Sequence, residues 1–303
     1  MAIKRRYWIP LTAIAVLLVV LGIAKHVLLD TAAEPRGTFV IDLDALHRAA
    51  VRGGTLPQRI EVERVGEFSF PQTMVVAGGG FRMHPMVLLS HRVVWPDRSI
   101  VIDSAMSPED AKSLPSSHID QAAYARMQAA LGKADATVFT HEHPDHVGGV
   151  ARAPNFKSLA SEVLMTREQL TAPKLDRSLF PAGAFDDLKP IDYQGLYAVA
   201  GGVVLQKAPG HSVGSQLIYV ELASGTRFLF VGDIAWSKDN IREQKGRPGF
   251  ADLFMKEDRG AVAAQVKALG QLPADVHVIV AHDPVALEDD LRAGLYRQGF
   301  TGL

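Results

Sequence analysis

The sequence predicts an α/β fold: two β-sheets covered by helices, preceded by a single apolar N-terminal helix. Three observations lead there. Short strand-like apolar runs come first and then alternate with stretches of helical spacing. Four of the strand-like runs are followed closely by His or Asp, and layered α/β folds place their sites at the carboxyl ends of strands. One nearly unbroken apolar run opens the chain.

That opening run covers residues 7–24 and follows Lys4, Arg5 and Arg6. About 18 apolar residues can just cross a bilayer as a helix. Tyr7 and Trp8 stand where interfacial aromatics are expected, and the basic bias holds the N-terminus in the cytoplasm. Thr31-Ala32-Ala33 matches a signal-peptidase site poorly, and the run is longer than a usual signal core. The expectation is therefore an uncleaved anchor crossing the membrane through residues 7–24, with the remainder exported to the periplasmic side of a bacterial inner membrane. If the segment is cleaved, the product is periplasmic. Pro35 and Gly37 break the chain within a linker at 30–38. Residues 1–36 are thus expected to be anchor and linker, and 37–303 one domain.

Within that domain, alternation over 59–65 and short apolar runs at 73–77 and 86–90 read as strands, with a turn at Gly78-Gly79-Gly80. Residues 99–102 form a buried-type strand ending at Asp103. Ser107 and Pro108 open a helix over 107–111 as cap and first residue. Residues 119–131 have helical spacing and stop at Gly132. Strands follow at 136–140, 203–207, 217–221, 228–231 and 276–281, with helical stretches at 167–170 and 260–272.

Composition narrows the chemistry. Hydrophobic residues make up 48% of the chain, enough for a sizeable core. A net charge of −1 and the lack of a basic tract argue against nucleic acid. With no cysteine, disulfides and thiolate sites are excluded, so any metal must be held by His, Asp or Glu. The decisive stretch is Thr140-His141-Glu142-His143-Pro144-Asp145-His146-Val147-Gly148-Gly149. In extended chain, residues two apart point the same way, so His141 and His143 can share one ion. Asp145 and His146 fall on the turn beyond, where they can serve a second ion. His211, Asp233 and His282 follow the strands 203–207, 228–231 and 276–281. Seven such donors suit two ions that share one carboxylate. The imidazole and carboxylate set suits zinc, iron or manganese.

The HEHPDH stretch resembles the His-x-His-x-Asp-His signature of the metallo-β-lactamase superfamily, over roughly residues 73–283. The resemblance implies a four-layer αββα sandwich with two divalent metal ions, taken as Zn2+, at the edge between the sheets. It implies that His141, His143 and His211 hold the first ion, that Asp145, His146 and His282 hold the second, and that Asp233 bridges them. Asp103 matches the early Asp, which supports the ligands from behind.

Within the superfamily, Asp233 argues against a true β-lactamase and His143 against the flavodiiron branch. The near-neutral charge argues against a nuclease. Only 21 residues follow His282, too few for the helical region of glyoxalase II. The stretches at 209–215, 233–240 and 281–283 are most similar to N-acyl homoserine lactone lactonases. One departure is Trp236, where those enzymes carry a Tyr. The implied activity is attack of a metal-bound hydroxide on an ester, lactone or thioester carbonyl, with Asp145 as the catalytic residue that orients water or moves its proton. The alternative is a mononuclear iron dioxygenase of the persulfide type on the same fold. The expected partner is a small-molecule substrate; no protein partner is expected. Trp236 and Tyr193 are candidate pocket residues. Segments 170–196, with Phe180 and Phe185, and 249–255, with Phe250 and Phe254, are candidate walls over the site. His84, His91, His118 and His277 are read as structural or exposed.

Overall fold

The computed structural model describes the backbone of residues 5–302, with side chains from residue 12 onward. Helix α1, Arg5–Lys25, continues into a π-turn at His26–Asp30. Its apolar side chains from Ile14 to Ile23 are exposed, and Thr12–Asp30 is apolar enough to cross a membrane by length and composition. Lys4 and the amino terminus lie outside the described residues, as do the side chains of Arg5, Arg6, Tyr7 and Trp8.

Helix α2, Leu43–Arg52, starts at Asp42, whose carboxylate accepts the Ala45 N–H. Then come β1, Arg59–Pro71, and β2, Met83–Val94, paired antiparallel with one bulge between Arg64 and Gly66. The expected strands at 59–65 and 86–90 are portions of these two. The run at 73–77 contains a short helix, Gln72–Val75, instead of a strand. Four or five apolar residues carry no period that separates the two states. Here the Gln72 and Thr73 N–H groups donate to Arg82 and Gly80 carbonyls across the loop.

The first sheet is completed by β3, Ser99–Ile102; β4, His118–Ile119; β5, Ala136–Val138; β6, Val163–Leu164; and a terminal strand, Arg297–Gln298. Its order is Arg297–Gln298, β1, β2, β3, β5, β6, with β4 also on β1. The second sheet contains β7, Leu196–Ala200; β8, Val203–Lys207; β9, Gln216–Glu221; β10, Arg227–Phe230; and β11, Val276–Ile279, in the order β11-β10-β9-β8-β7. The helix expected at 107–111 is displaced to a 3-10 turn at Asp110–Ser113, with Glu109 instead of Ser107 at its cap position, though Ser107 Oγ still accepts the Asp110 N–H.

Alternation along the strands builds three cores. Ile60, Val62 and Ile102 face Leu205, Val220 and Phe228 between the sheets. On the outer face of the first sheet, Val65, Leu88 and Val101 pack with Met127 and Leu131 of α3, Gln121–Leu131, and Val147 of α4, Pro144–Ala151. On the outer face of the second, Val204, Tyr219 and Leu229 pack with Leu46 of α2 and Val262 and Val266 of α5, Arg259–Leu269. The layers therefore run helix, sheet, sheet, helix. The pairs β3–β5 and β10–β11 are parallel. Each pair delivers its two carboxyl ends to one edge, and the candidate site stands where those edges meet.

Candidate metal centre

Each candidate donor is set by a local structural cause. His141 and His143 follow β5 in extended chain. Pro144 opens α4 at its first position, where a missing N–H costs nothing. Asp145 and His146 thus stand in the first turn of a helix, not on a plain turn as expected. Gly149 lets that helix lie against the loop after β3, since a Cβ there would come within 2.1 Å of the Ser104 carbonyl oxygen. After β10, Gly232 adopts φ +51° and passes so close to Thr140 that a Cβ would sit 2.7 Å from its side chain. This conformation turns Asp233 into the site. His282 follows β11.

The seven side chains converge. Donor atoms of His141, His143, His211 and Asp233 all lie within 4.8 Å of one another, and so do those of Asp145, His146, Asp233 and His282. Asp233 belongs to both groups, and its two oxygens divide between them. Oδ2 lies 3.3 Å from His211 Nε2 and 3.7 Å from His141 Nε2. Oδ1 lies 3.1 Å from His282 Nε2 and 3.2 Å from His146 Nε2.

The hydrogen bonds behind the imidazoles fix their tautomers. His211 Nδ1 donates to Glu257 Oε2 at 3.1 Å, His146 Nδ1 to Asp103 Oδ2 at 2.8 Å, and His282 Nδ1 to the Val87 carbonyl at 2.8 Å. Each Nε2 is left with its lone pair facing inward, the arrangement a cation requires. His143 Nδ1 sits 2.9 Å from His141 Nε2 and 3.0 Å from His211 Nε2. Three ring nitrogens so arranged cannot all be satisfied by one another's protons. His143 Nε2 and His146 Nε2 are buried without a hydrogen-bond partner. This donor set fits a pair of divalent cations and is poorly satisfied by hydrogen bonding alone.

Electrostatics favour a neutral imidazole at His141 and His143 and, until a cation displaces its proton, a protonated one at His146. Burial pushes the His141 and His143 imidazoles well below their ordinary pKa, and neighbouring histidines add to the effect. Both are therefore neutral and free to donate lone pairs. Burial alone would lower His146 too, but the carboxylates of Asp103, Asp145 and Asp233 outweigh it and raise its pKa. Burial opposes ionisation of Asp233, yet His282, His141, His146 and His211 around it hold its carboxyl well below the usual range.

Asp103 stands at the end of β3 with φ +55°, a conformation Asp tolerates better than most residues. It accepts from Thr140 N–H at 2.7 Å and Thr140 Oγ1 at 2.8 Å as well as from His146. Two further supports have no sequence signal. Glu257 holds His211, and Arg247 Nη1 donates to the same Glu257 oxygen at 2.8 Å while Nη2 donates to the Asp233 carbonyl at 2.7 Å. Burial works against the Glu257 charge, but Arg247 and His211 keep its carboxyl at about 2.

A cleft of about 730 Å³ opens onto His143, Asp145, Asp233 and His282. Its walls include Phe68, Phe70, Met106, Leu114, Phe250 and Phe254. Trp236 lines it as well, stacked 6.0 Å from Phe70, beneath the Arg247 guanidinium at 4.2 Å, with its Nε1 buried and unpartnered. Segment 249–255 borders the cleft, as its aromatics lead one to expect. Tyr193 does not line it: its ring is buried in the core between the sheets and its hydroxyl donates to Gln216 Oε1 at 2.7 Å. Phe180 and Phe185 likewise turn inward, 5.0 Å from each other, with Phe180 against Phe156. Among the other histidines, His91 is buried beside Phe230 and Tyr296, behind the donor groups and not one of them.

Residues 92–282 match the family described as the metallo-beta-lactamase superfamily. A curated relative, the N-acyl homoserine lactonase of Bacillus cereus, is 26% identical over 113 residues, covering 37% of this chain. The match spans 43% of that relative's length. Solved structures share the fold at low identity. One is an N-acyl homoserine lactone hydrolase with N-hexanoyl-L-homoserine bound at its catalytic metal centre: TM-score 0.62, 16% identity, 78% of this chain and 97% of that one. Another is AidC, a dizinc quorum-quenching lactonase: TM-score 0.54, 18% identity, 75% of this chain and 89% of that one.

Proposed function

Because this chain belongs to the metallo-beta-lactamase superfamily, we propose that it is a dinuclear metal-dependent hydrolase of lactone or ester bonds, with thioesters as related carbonyl substrates. The observation that carries the proposal is Asp233, whose two oxygens face two separate donor groups. A single-ion oxygenase has no use for the second group, and the relatives named above are hydrolases. His141, His143 and His211 would hold one ion, Asp145, His146 and His282 the other, with Asp233 between them. Zinc suits the nitrogen and oxygen donors, and the dizinc neighbour supports it. When bound, such a pair supplies Lewis acidity and lowers the pKa of water from 15.7 toward about 7.

The chain's own residues do the rest. Asp145 lines the cleft, and within its own donor group it is the most accessible, its side chain 19% exposed against 5% or less for His146, His282 and Asp233. It accepts the proton released by the attacking water and returns it to the leaving oxygen. Trp236 Nε1 is a buried donor in the cleft wall without a partner among the described residues, which a substrate oxygen could engage once the side chain shifts. The aromatic walls exclude water and receive an acyl chain. Residues 37–303 act as one catalytic domain, held by residues 7–24 as an anchor with the domain on the periplasmic side. The test is a panel of lactones, esters and thioesters offered to metal-stripped and zinc-loaded full-length protein. We expect lactone or ester turnover that requires about two metal equivalents and disappears with chelator. Full activity at one equivalent, or no turnover of any of these at two, would overturn it.

A further inference from the structure

The N-terminal helix does not hang from a tether. Its final turn is bonded to the cleft wall. The Leu29 carbonyl accepts from Gly78 N–H at 2.9 Å and from Thr73 Oγ1 at 3.4 Å. The Val27 and Leu28 carbonyls lie 3.4 and 3.9 Å from where a Cβ on Gly249 would stand. Arg259 Nη2 donates to the Thr31 carbonyl, two residues beyond Leu29, at 3.3 Å. Thr73 lines the cleft, and so does Phe250, the neighbour of Gly249. The apolar segment Thr12–Asp30 therefore ends on the wall of the cleft itself.

The same rim carries apolar side chains with no cover. Phe81, Leu253 and Phe254 are 67%, 75% and 73% exposed, and Met83 is 48% exposed. Single exposed apolar residues are ordinary; three large ones at the mouth of an apolar cleft, beside the end of an apolar helix, are not. Exposed Arg82 and Lys256 adjoin them, with Asp252 the acidic exception. Basic side chains at a bilayer surface meet anionic headgroups.

We propose that the cleft mouth is seated in the membrane interface, and that its substrate is a lipophilic ester or lactone with a long apolar chain that enters from the bilayer. The proposal rests on the anchor and hydrolase proposals above and goes beyond them. Only Lys25 and His26 stand between the anchor at 7–24 and the residues that meet the rim, so the mouth cannot stand far from the lipid. Phe81, Leu253 and Phe254 then dip into the acyl boundary, and a substrate chain passes between lipid and the aromatic walls without crossing water.

The absence of cysteine from the sequence makes a direct test available. Full-length Leu253→Cys and Ile23→Cys proteins are labelled with a polarity-sensitive dye and placed in phosphatidylglycerol–phosphatidylcholine vesicles with brominated acyl chains. We expect quenching at both positions. Quenching at Ile23→Cys with none at Leu253→Cys would overturn the proposal and leave the anchor standing, as would burial of Leu253 against a second copy of the chain. Quenching at neither would remove anchor and proposal together. In a second arm, Leu253→Asp/Met83→Asp changes two residues outside the cleft lining. It should leave hydrolysis of a water-soluble butyryl lactone unchanged and slow that of a bilayer-borne dodecanoyl lactone about tenfold. Equal rates on the long-chain substrate for variant and parent would overturn bilayer entry. Loss of turnover on both substrates in the parent would instead sink the hydrolase proposal, leaving the dye result to decide the seating.

Discussion

The two donor groups share Asp233 but are supported in different ways. The group of Asp145, His146 and His282 is backed by the sheets: Asp103 ends β3, and the Val87 carbonyl belongs to β2. The group of His141, His143 and His211 is backed by a pair from one loop region, Glu257 and Arg247. That region also carries Phe250 and Phe254 and touches the end of the N-terminal helix. One half of the site is thus fixed by strand pairing, and the other is tied to the cleft wall and the end of the N-terminal helix.

The largest expected effect comes from the residue the halves share. Asp233→Asn keeps the shape but removes the charge that faces both groups. It should lower metal content at both positions and cost several kcal/mol of transition-state stabilisation, on the order of 10³-fold in kcat/KM. Metal analysis with steady-state kinetics checks this. Retention of two ions per chain would show that the halves are independent of Asp233.

A buried imidazole outside the site supplies a control on folding. Burial holds His91 at about 4, against the opposing pull of Asp103. Its folded pKa lies below the unfolded value of 6.5, so the unfolded chain binds the proton first as pH falls. The stability it allows is fully present above 6.5 and is lost as pH falls toward 4, by about 3 kcal/mol. His91→Leu should remove that loss. Thermal midpoints of metal-stripped parent and variant in detergent, at pH 7.5 and 4.5, measure it. Parallel acid sensitivity of the two proteins would place the cost elsewhere.

Removal of each backing carboxylate separates the halves more finely. Glu257→Gln and Asp103→Asn should each weaken metal binding by about 10–100-fold, and each chiefly at its own group. Stepwise titration with zinc reads this as loss of one binding step while the other persists. If either variant weakens both steps equally, the supports act through the shared Asp233 and the contrast drawn above collapses.

The sequence carried one half of this organisation better than the other. Asp103, His141, Asp233 and His282 follow strands whose parallel pairing sends their ends to one edge, so periodicity and position alone bring them near each other. The HEHPDH stretch supplies its own local geometry, although the helix begun by Pro144 was not legible as more than a turn. Glu257 was invisible: it lies 46 residues beyond His211, in a loop with no period and no motif. The cleft walls were partly visible. Phe250 and Phe254 cluster in sequence, whereas Phe68 and Phe70 reach the site only because β1 runs on past residue 65. Tyr193 failed as a pocket residue because an aromatic in a loop has no register to say which side it takes, and Gln216 offered its hydroxyl a buried partner.

Trp236 touches both halves and belongs to neither. Its ring packs edge-on to His282 at 5.9 Å and lies under Arg247, which supports His211 through Glu257. Its Nε1 has no partner among the described residues. A buried N–H left unpaired costs about 1–3 kcal/mol, so substrate that accepts from it recovers part of that. Trp236→Phe keeps an aromatic ring against Phe70 and Arg247 but removes the donor. Both metals should remain, and kcat/KM should fall about tenfold, a loss of about 1.4 kcal/mol and the smallest effect in this series. The same loss should appear for short and long acyl chains, because the donor addresses the polar end of the substrate. A loss confined to long chains would make Trp236 a wall and nothing more. A loss of one metal would show that the ring holds the two halves in register, and the division between them would then run through Trp236 itself.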